Sequence, residues 1–293
     1  MPLVSTAEPV YRAKILKAAS SVGVLGGGAL SGPRIMAALC DPEIPAREIS
    51  SLIAREPALC ARVLRVANSA FYGNARSIST LERALVLLGL DAVRGIAAAA
   101  CLDRAMPKRE TSALLDVAAL VQHSHATAVA AQSLAQIRHP ELASEAFIGG
   151  LLHNLGIVVQ MQFDPPAVQA IIDRRRCDDH RDVRTLEAEL STVGHEDCLA
   201  VVFEAWNLPE ALIGAACHHH DPIAAPDRHR KLASLINLGS HLSLTTGNTF
   251  TLEPMPAPRN EPAMERLALN DDELAHVALR LPHEVASLTQ ALG

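Results

Sequence analysis

The stretch AFIGGLLHNLG, residues 146–156, decides how the rest of the chain is read. Apolar residues cover every face of a helix built on it, so the helix has no solvent side and belongs inside a bundle. Gly149 and Gly150 allow a neighbouring helix to approach closely, while Leu151, Leu152 and Leu155 supply core. His153 and Asn154 then put two polar groups at the end of a buried segment. An imidazole there can hold a metal, and its usual companion would be a carboxylate; this chain supplies an amide.

Working outward, the same helical texture recurs. Nearly half of the 293 residues are apolar. Most of these are Ala, Leu, Ile and Val, and long stretches lack the alternation of strands. Ala and Leu are strong helix formers, so the fold class predicted is all-α: a small N-terminal helical bundle packed on a larger helical domain. Residues 1–30 read as an N-terminal segment, with a short amphipathic helix in YRAKILKAASS and a Gly-rich linker. Residues 31–108 read as the N-terminal subdomain. There Pro57 starts a helix, Thr80 or Ser79 caps another, and Asp91 caps the next. PKRETS, 107–112, is a polar break. Residues 113–245 form the second helical subdomain, with two helices joined at Asn207-Leu208-Pro209. A Pro-rich segment, EPMPAPRNEP, and a helical tail occupy 246–293. Leu274, Val277, Ala278 and Leu281 mark the packing face of that tail.

Composition narrows the function classes. The formal charge of -6 argues against a broad nucleic-acid surface. One Trp, two Tyr and five Phe are too few for a row of base-stacking platforms. The six cysteines form no CxxC pair and read as thiols in a reducing cytoplasm. No charged start with an apolar run and cleavage site is present, and no uninterrupted apolar run reaches membrane-spanning length, the Ala-rich run after Gly95 being too short. Gly26-Gly27-Gly28 lacks the preceding strand and following GK[ST] of a phosphate loop.

Thirteen histidines are numerous for this size. His123 and His125 lie two apart on a helix, so they point about 200° from each other and cannot both face one site. His218, His219 and His220 are consecutive, so at most two of them share a centre. No HExxH occurs, which removes the zinc-protease reading. Spacing alone does not establish whether His123, His153, His195, His219 and His220 converge.

The motifs EPALCARVLRVANSAFYG, STLERALVLLGLDAVRGIA, QHSHATAVAA, AFIGGLLHNLG, GHEDCLAVVFEAWNLPEAL and HHHDP occur in this order. From about 31 to 245 the chain resembles the HDOD family, the HD-related output domains of bacterial signalling proteins. The family is related in fold to HD-domain metal-dependent phosphohydrolases, in which histidines and an aspartate hold one or two metals. The resemblance carries His123 onto the first histidine of that pattern and His153-Asn154 onto the His-Asp pair. It carries His195 onto the next histidine, and His219 and His220 onto the His pair. The last helix aspartate falls near Ser240, with His241 beside it. Asn154 and Ser240 both lack the charge of the residues they replace.

The resemblance therefore implies a non-catalytic, cytoplasmic signal-transduction or regulatory protein with a vestigial site at His123, His153, Asn154, His195, His219 and His220. Its rival is a metal-dependent phosphohydrolase or phosphodiesterase using a degenerate site. No obligatory cofactor is expected. The ion that His123, His153, His195, His219 and His220 would take is divalent: Fe, Mn, Zn, Ni or Mg. Glu187, eight residues before His195, is a candidate to orient a histidine, and Asp221 a turn residue. Asn68 and Ser69 are read as binding local backbone, while Phe71 and Tyr72 plug the seam between subdomains; a partner contact there is the alternative. The expected partners are a signalling protein, a phosphate-containing effector such as a cyclic dinucleotide (with Arg62, Arg65 and Arg94 as contacts) and a second copy of the chain. No membrane is expected.

Overall fold

A computed structural model describes residues 9–21, 31–69, 72, 78–106, 115–177, 181–190 and 193–292. The Gly-rich segment, Phe71 and the polar break at 107–112 lie outside them. The described residues form helices joined by short turns and no sheet; one extended pairing, Phe250 with Glu253, closes a tight turn. The all-α expectation therefore holds.

The first helices follow the punctuation of the sequence. α1 (Pro9–Ser21) buries Ile15, Ala18 and Ala19, and Arg12 pairs with Glu204. After α2 (Ser31–Cys40) and α3 (Ala46–Ala54), Pro57 occupies the first turn of α4 (Pro57–Ala67), where its missing N–H leaves no bond unmade. Thr80 Oγ1 accepts from Arg83 N and caps α5 (Leu81–Leu88). The cap expected at Asp91 is corrected: α6 (Leu90–Ala105) starts one residue earlier, after Gly89 at φ 85°, and Asp91 falls inside its first turn.

Four of the next helices make the centre of the molecule. α7 (Val117–Arg138) is buried along most of its length. It packs on α8 (Ala143–Leu152), on α14 (Arg230–Thr245) and on α16 (Asp271–Leu292). The α7–α8 approach is backbone to backbone. A Cβ on Gly150 would lie 2.9 Å from Ala128 Cα, so only glycine fits. α9 (Leu155–Phe163) follows α8 after a turn at His153–Asn154 and packs on α1 and on α12 (His195–Ala205).

α10 (Pro165–Arg176), α11 (Val183–Glu189) and α13 (Glu210–Ala216) complete this part, and α15 (Glu261–Leu267) precedes α16. On α16, Leu274, Val277 and Leu281 are buried as expected, and Ala278 is partly so. Most buried residues belong to one hydrophobic cluster. A second gathers Ile157, Val158, Ile171, Leu186, Phe250 and Leu252, which draws the segment after α14 onto α9 and α10.

Pro140–Phe163 is long and apolar enough, by composition, to cross a membrane. It is instead core: 78% of its most apolar window is buried inside the molecule.

Asn68 and Ser69 make the local backbone bonds expected of them. Asn68 donates through Nδ2 to Leu64 O and Ile78 O and accepts from Ile78 N at 2.7 Å, fastening the end of α4 to the start of the next segment. Ser69 donates to Val66 O. Tyr72 packs partly buried on the main core. Arg94 is buried and donates to Asp41 O and Ile44 O at 2.6 Å each. Those bonds hold the α2–α3 turn, so Arg94 is corrected from a phosphate contact to a structural residue.

Candidate functional site

Five imidazoles from four places in the chain meet inside the bundle. His123 sits on α7 and His153 at the end of α8. His195 opens α12, and His219 and His220 follow α13. His123 and His153 approach at 3.3 Å, Nε2 to Nε2. The ring centroids of His153 and His219 are 4.7 Å apart, those of His195 and His219 5.4 Å, and those of His195 and His220 5.1 Å. One atom from each of His195, His219 and His220 lies within 4.8 Å of the others. The angular argument holds: His123 joins the row and His125 does not, while His218 turns away to donate to Gly214 O.

The remaining ring atoms fix how each imidazole faces. His123 Nδ1 lies 3.1 Å from Asn248 O, His153 Nδ1 2.6 Å from Gly150 O, and His219 Nδ1 2.7 Å from Ala216 O. A carbonyl only accepts, so each Nδ1 carries the proton and each neutral ring presents a bare Nε2. His195 Nδ1 donates to Glu187 Oε1 at 2.9 Å. The same oxygen accepts from His195 N and from Gln160 Nε2 at 2.8 Å. Glu187 thus orients His195, the role anticipated for it. Gly156 permits this junction: a Cβ there would stand 1.9 Å from His195 O.

Charge is unevenly spread. Burial lowers His123 to about 4, against the opposing bond to Asn248 O. Burial and the neighbouring His123 hold His153 well below the ordinary imidazole range. His219 and His220 are lowered mainly by burial and by neighbouring rings. His195 goes the other way. Burial would lower it, but the charge and hydrogen bond of Glu187 prevail and raise it to about 9. Glu187 itself is held below the usual carboxylate range: burial raises it, and the His195 charge with three hydrogen bonds, two from His195 and one from Gln160, outweighs that.

Asn154, carried by the resemblance onto the aspartate position, is 1% exposed, and neither Oδ1 nor Nδ2 has a partner. Ser240 is buried with Oγ 3.4 Å from His123 Nε2, so α14 brings a hydroxyl to the row. His241 lines the cavity beside the row and donates to Ala257 O at 3.2 Å. Asp221 serves the turn after the histidine run, accepting from Ala224 N.

Sequence reasoning missed groups on α14, on the segment after it and on α12. Ser243 Oγ is 2.9 Å from His123 Nδ1. Asn248 supplies a carbonyl, and Glu253 Oε1 stands 3.3 Å from His220 Nε2. Glu196 Oε1 is 3.4 Å from His219 Nδ1 and accepts from His220 N. Burial pushes both Glu196 and Glu253 up to about 7. The segment expected as a Pro-rich tail walls a cavity of about 390 Å³ that reaches His219, His220, Ser240 and Glu253.

A helical bundle with inward-facing imidazoles drawn from α7, α8, α12 and the end of α13 is an HD-like arrangement. The chain belongs to the HDOD family, whose domain model matches residues 32–222. An HDOD domain protein of unknown function from Geobacter sulfurreducens is similar in fold at TM-score 0.76 and 20% identity, covering 96% of this chain and 98% of that one. A Shewanella amazonensis SB2B protein, provisionally described as a phosphohydrolase, is similar at TM-score 0.70 and 23% identity, covering 96% and 98%. An uncharacterised protein of Treponema pallidum (strain Nichols) is 26% identical over 205 residues, 69% of this chain. The chain spans 39% of the length of that curated relative.

Proposed function

We propose that this protein is a regulatory HDOD protein that acts by binding a partner or a phosphate-containing effector and does not turn over phosphoesters. The observation that carries the reading is Asn154. A buried carboxamide without hydrogen-bond partners among the described residues stands where the sequence resemblance to HD-domain enzymes implies a metal-binding aspartate. Ser240 repeats the loss of charge on α14. Among the described residues, the hydrogen-bonding contacts of the His123 and His153 rings are hydroxyls, carbonyls and each other.

The donor set still suits one ion. His195, His219 and His220 would hold it, with their Nε2 atoms lacking hydrogen-bond partners. His219 Nδ1 is fixed by a carbonyl and His195 Nδ1 by a carboxylate, the outer contacts that orient ligating imidazoles. A divalent ion bound there supplies Lewis acidity toward a phosphoryl oxygen. This chain's residues do less with it than an enzyme's would. His123 and His153 stay neutral, and no carboxylate beside them takes up a proton or balances a second cation.

We extend the reading to organisation. Helices α2–α6 form the N-terminal unit expected at 31–108, α7–α14 the HD-like unit expected at 113–245, and their joint surface reads the state of the histidine cavity.

The test is elemental analysis of protein purified without a metal-binding tag, followed by phosphoester assays with added Mn²⁺, Fe²⁺ or Mg²⁺. Turnover at the level of the uncatalysed background is expected in each case. Turnover that His153→Ala abolishes would overturn the proposal.

A further inference from the structure

We infer that Glu253 is a metal ligand: with His195, His219 and His220 it forms a three-imidazole, one-carboxylate site for a divalent transition-metal cation, and that cation fastens residues 248–258 over the cavity. The inference rests on reading the site as a binding centre and adds to it a residue that lies beyond the stretch matched by the family model.

Glu253 is placed, not incidental. Phe250 N donates to Glu253 O at 3.3 Å and Glu253 N to Phe250 O at 3.0 Å, closing a four-residue turn. Phe250 and Leu252 anchor that turn in the second hydrophobic cluster. The carboxylate is 7% exposed. Its Oε1 is 3.3 Å from His220 Nε2, yet neither atom makes an aligned hydrogen bond. An anion withdrawn from water with an unused oxygen is costly unless a positive charge meets it.

Three features make a cation the fitting complement. First, a ligand atom of His195 and one of His219 lie within 4.8 Å of one on His220, Glu253 Oε1 stands 3.3 Å from His220 Nε2, and Glu253 Oε1 and the Nε2 of each ring lack hydrogen-bond partners. Second, imidazole nitrogens with one carboxylate oxygen suit zinc and its first-row neighbours, which take three or four such ligands, and do not suit Mg²⁺, which prefers oxygen. Third, three neutral imidazoles leave both charges of the ion uncompensated in a buried site, and Glu253 removes one of them. The carboxylate absent at 154 and 240 thus has a counterpart that reaches the row from another part of the chain.

The mechanical consequence follows from the other ties of this segment. Asn248 O is held by His123, Leu252 O accepts from Arg175 Nε at 2.9 Å, and Ala257 O accepts from His241. Each is a single neutral or singly charged hydrogen bond. An ion at Glu253 adds a coordinate bond at the centre of the segment and converts occupancy into closure of the cavity wall.

The experiment uses the full chain, stripped with a chelator. Zn²⁺ affinity is measured by competition with a chromophoric chelator, and protection of 248–258 by hydrogen exchange, for the wild type and Glu253→Gln. One Zn²⁺ per chain is expected, with affinity at least about tenfold weaker in the variant. Zn²⁺ should slow exchange across 248–258 in the wild type alone, and Mg²⁺ should do neither. Glu253→Gln binding Zn²⁺ within twofold of the wild type, or Zn²⁺ binding without protection of the segment, overturns the inference. If the variant does not fold, X-ray absorption of the Zn²⁺-loaded wild type decides: three imidazoles with a carboxylate support it, and a site of imidazoles alone overturns it. The two readings fail separately. Absence of Zn²⁺ binding sinks the Glu253 site and leaves a non-hydrolytic protein standing. Phosphoester turnover with Glu253-dependent Zn²⁺ does the reverse.

Discussion

The histidine row has two unlike ends. At one, His123 and His153 are surrounded by Thr127, Ser240, Ser243, Asn154 and backbone carbonyls. At the other, His195, His219 and His220 are within reach of Glu187, Glu196 and Glu253. The same kind of ring behaves oppositely at the two. His123 is driven down to about 4 by burial that only a backbone hydrogen bond opposes, while Glu187 lifts His195 to about 9 against equally complete burial. A carboxylate beside an imidazole row offsets part of a cation's charge in a buried site. Here the carboxylates stand at one end, which argues for one ion and against a bridged pair.

The two ends are joined where α9 starts against α12, and the largest effect comes from breaking that joint. Gly156→Ala would put Cβ 1.9 Å from the carbonyl oxygen of His195. The obstacle is backbone, so no side-chain rotation relieves it. We expect a loss of about 3 kcal/mol or more in urea denaturation, at or above the upper range for overpacked cores. His195 should also lose its distinct imidazole NMR signal as its backbone shifts. An unchanged unfolding midpoint would show that the two helices have room to spare.

The next effect in size is electrostatic. Glu187→Gln keeps the shape that Gln160 and the His195 backbone contact but removes the charge that opposes burial. The imidazole of His195 should then titrate below 6.5 in place of about 9, a change of more than a hundredfold in proton affinity. The sign for stability follows. A raised histidine contributes fully below its unfolded value of 6.5 and loses that contribution as pH rises through about 9. Glu187, held down, contributes above 4.5 and loses it as pH falls. The wild type should therefore exceed the variant most between pH 4.5 and 6.5, and least above pH 9. A constant difference across this range in chemical denaturation would remove the acidic end as a distinct electrostatic region.

The end that was legible in the sequence is the acid-poor one. AFIGGLLHNLG announces a buried helix by its unbroken apolar surface, and the substitution at 154 is visible as a letter. Helical angles excluded His125 and one of His218–His220, and Glu187 stood out by its spacing from His195. Glu196 and Glu253 were not legible for different reasons. Glu196 lies in the first turn of α12, where an acidic residue is ordinary for helix-dipole reasons. Glu253 sits in an irregular turn before a proline, and irregular backbone has no period to reveal which way a side chain points. Its position depends on Phe250 and Leu252 docking on α9 and α10, a tertiary fact. The division into subdomains rested on breaks at 22–30 and 107–112, and both lie outside the described residues.

The smallest effect tests whether the two ends communicate. Asn154→Asp places an anion at the end that lacks one, in a position 1% exposed and without hydrogen-bond partners. In the metal-free protein that anion meets neutral rings, so it should be costly at pH 8 and less so as pH falls and a proton is taken up. With Zn²⁺ present the charge faces a cation across the row. His153 and His219, whose centroids are 4.7 Å apart, connect the two ends. Across so short a span in a buried site the attraction is only weakly screened. We expect Zn²⁺ to bind about tenfold more tightly in the variant, at unchanged stoichiometry, a gain of about 1.4 kcal/mol. A second Zn²⁺ per chain would mean that the acid-poor end lacked a charge and nothing else. Unchanged affinity would mean that position 154 does not feel an ion held by Glu253, and that the row is two electrostatically separate sites sharing one wall.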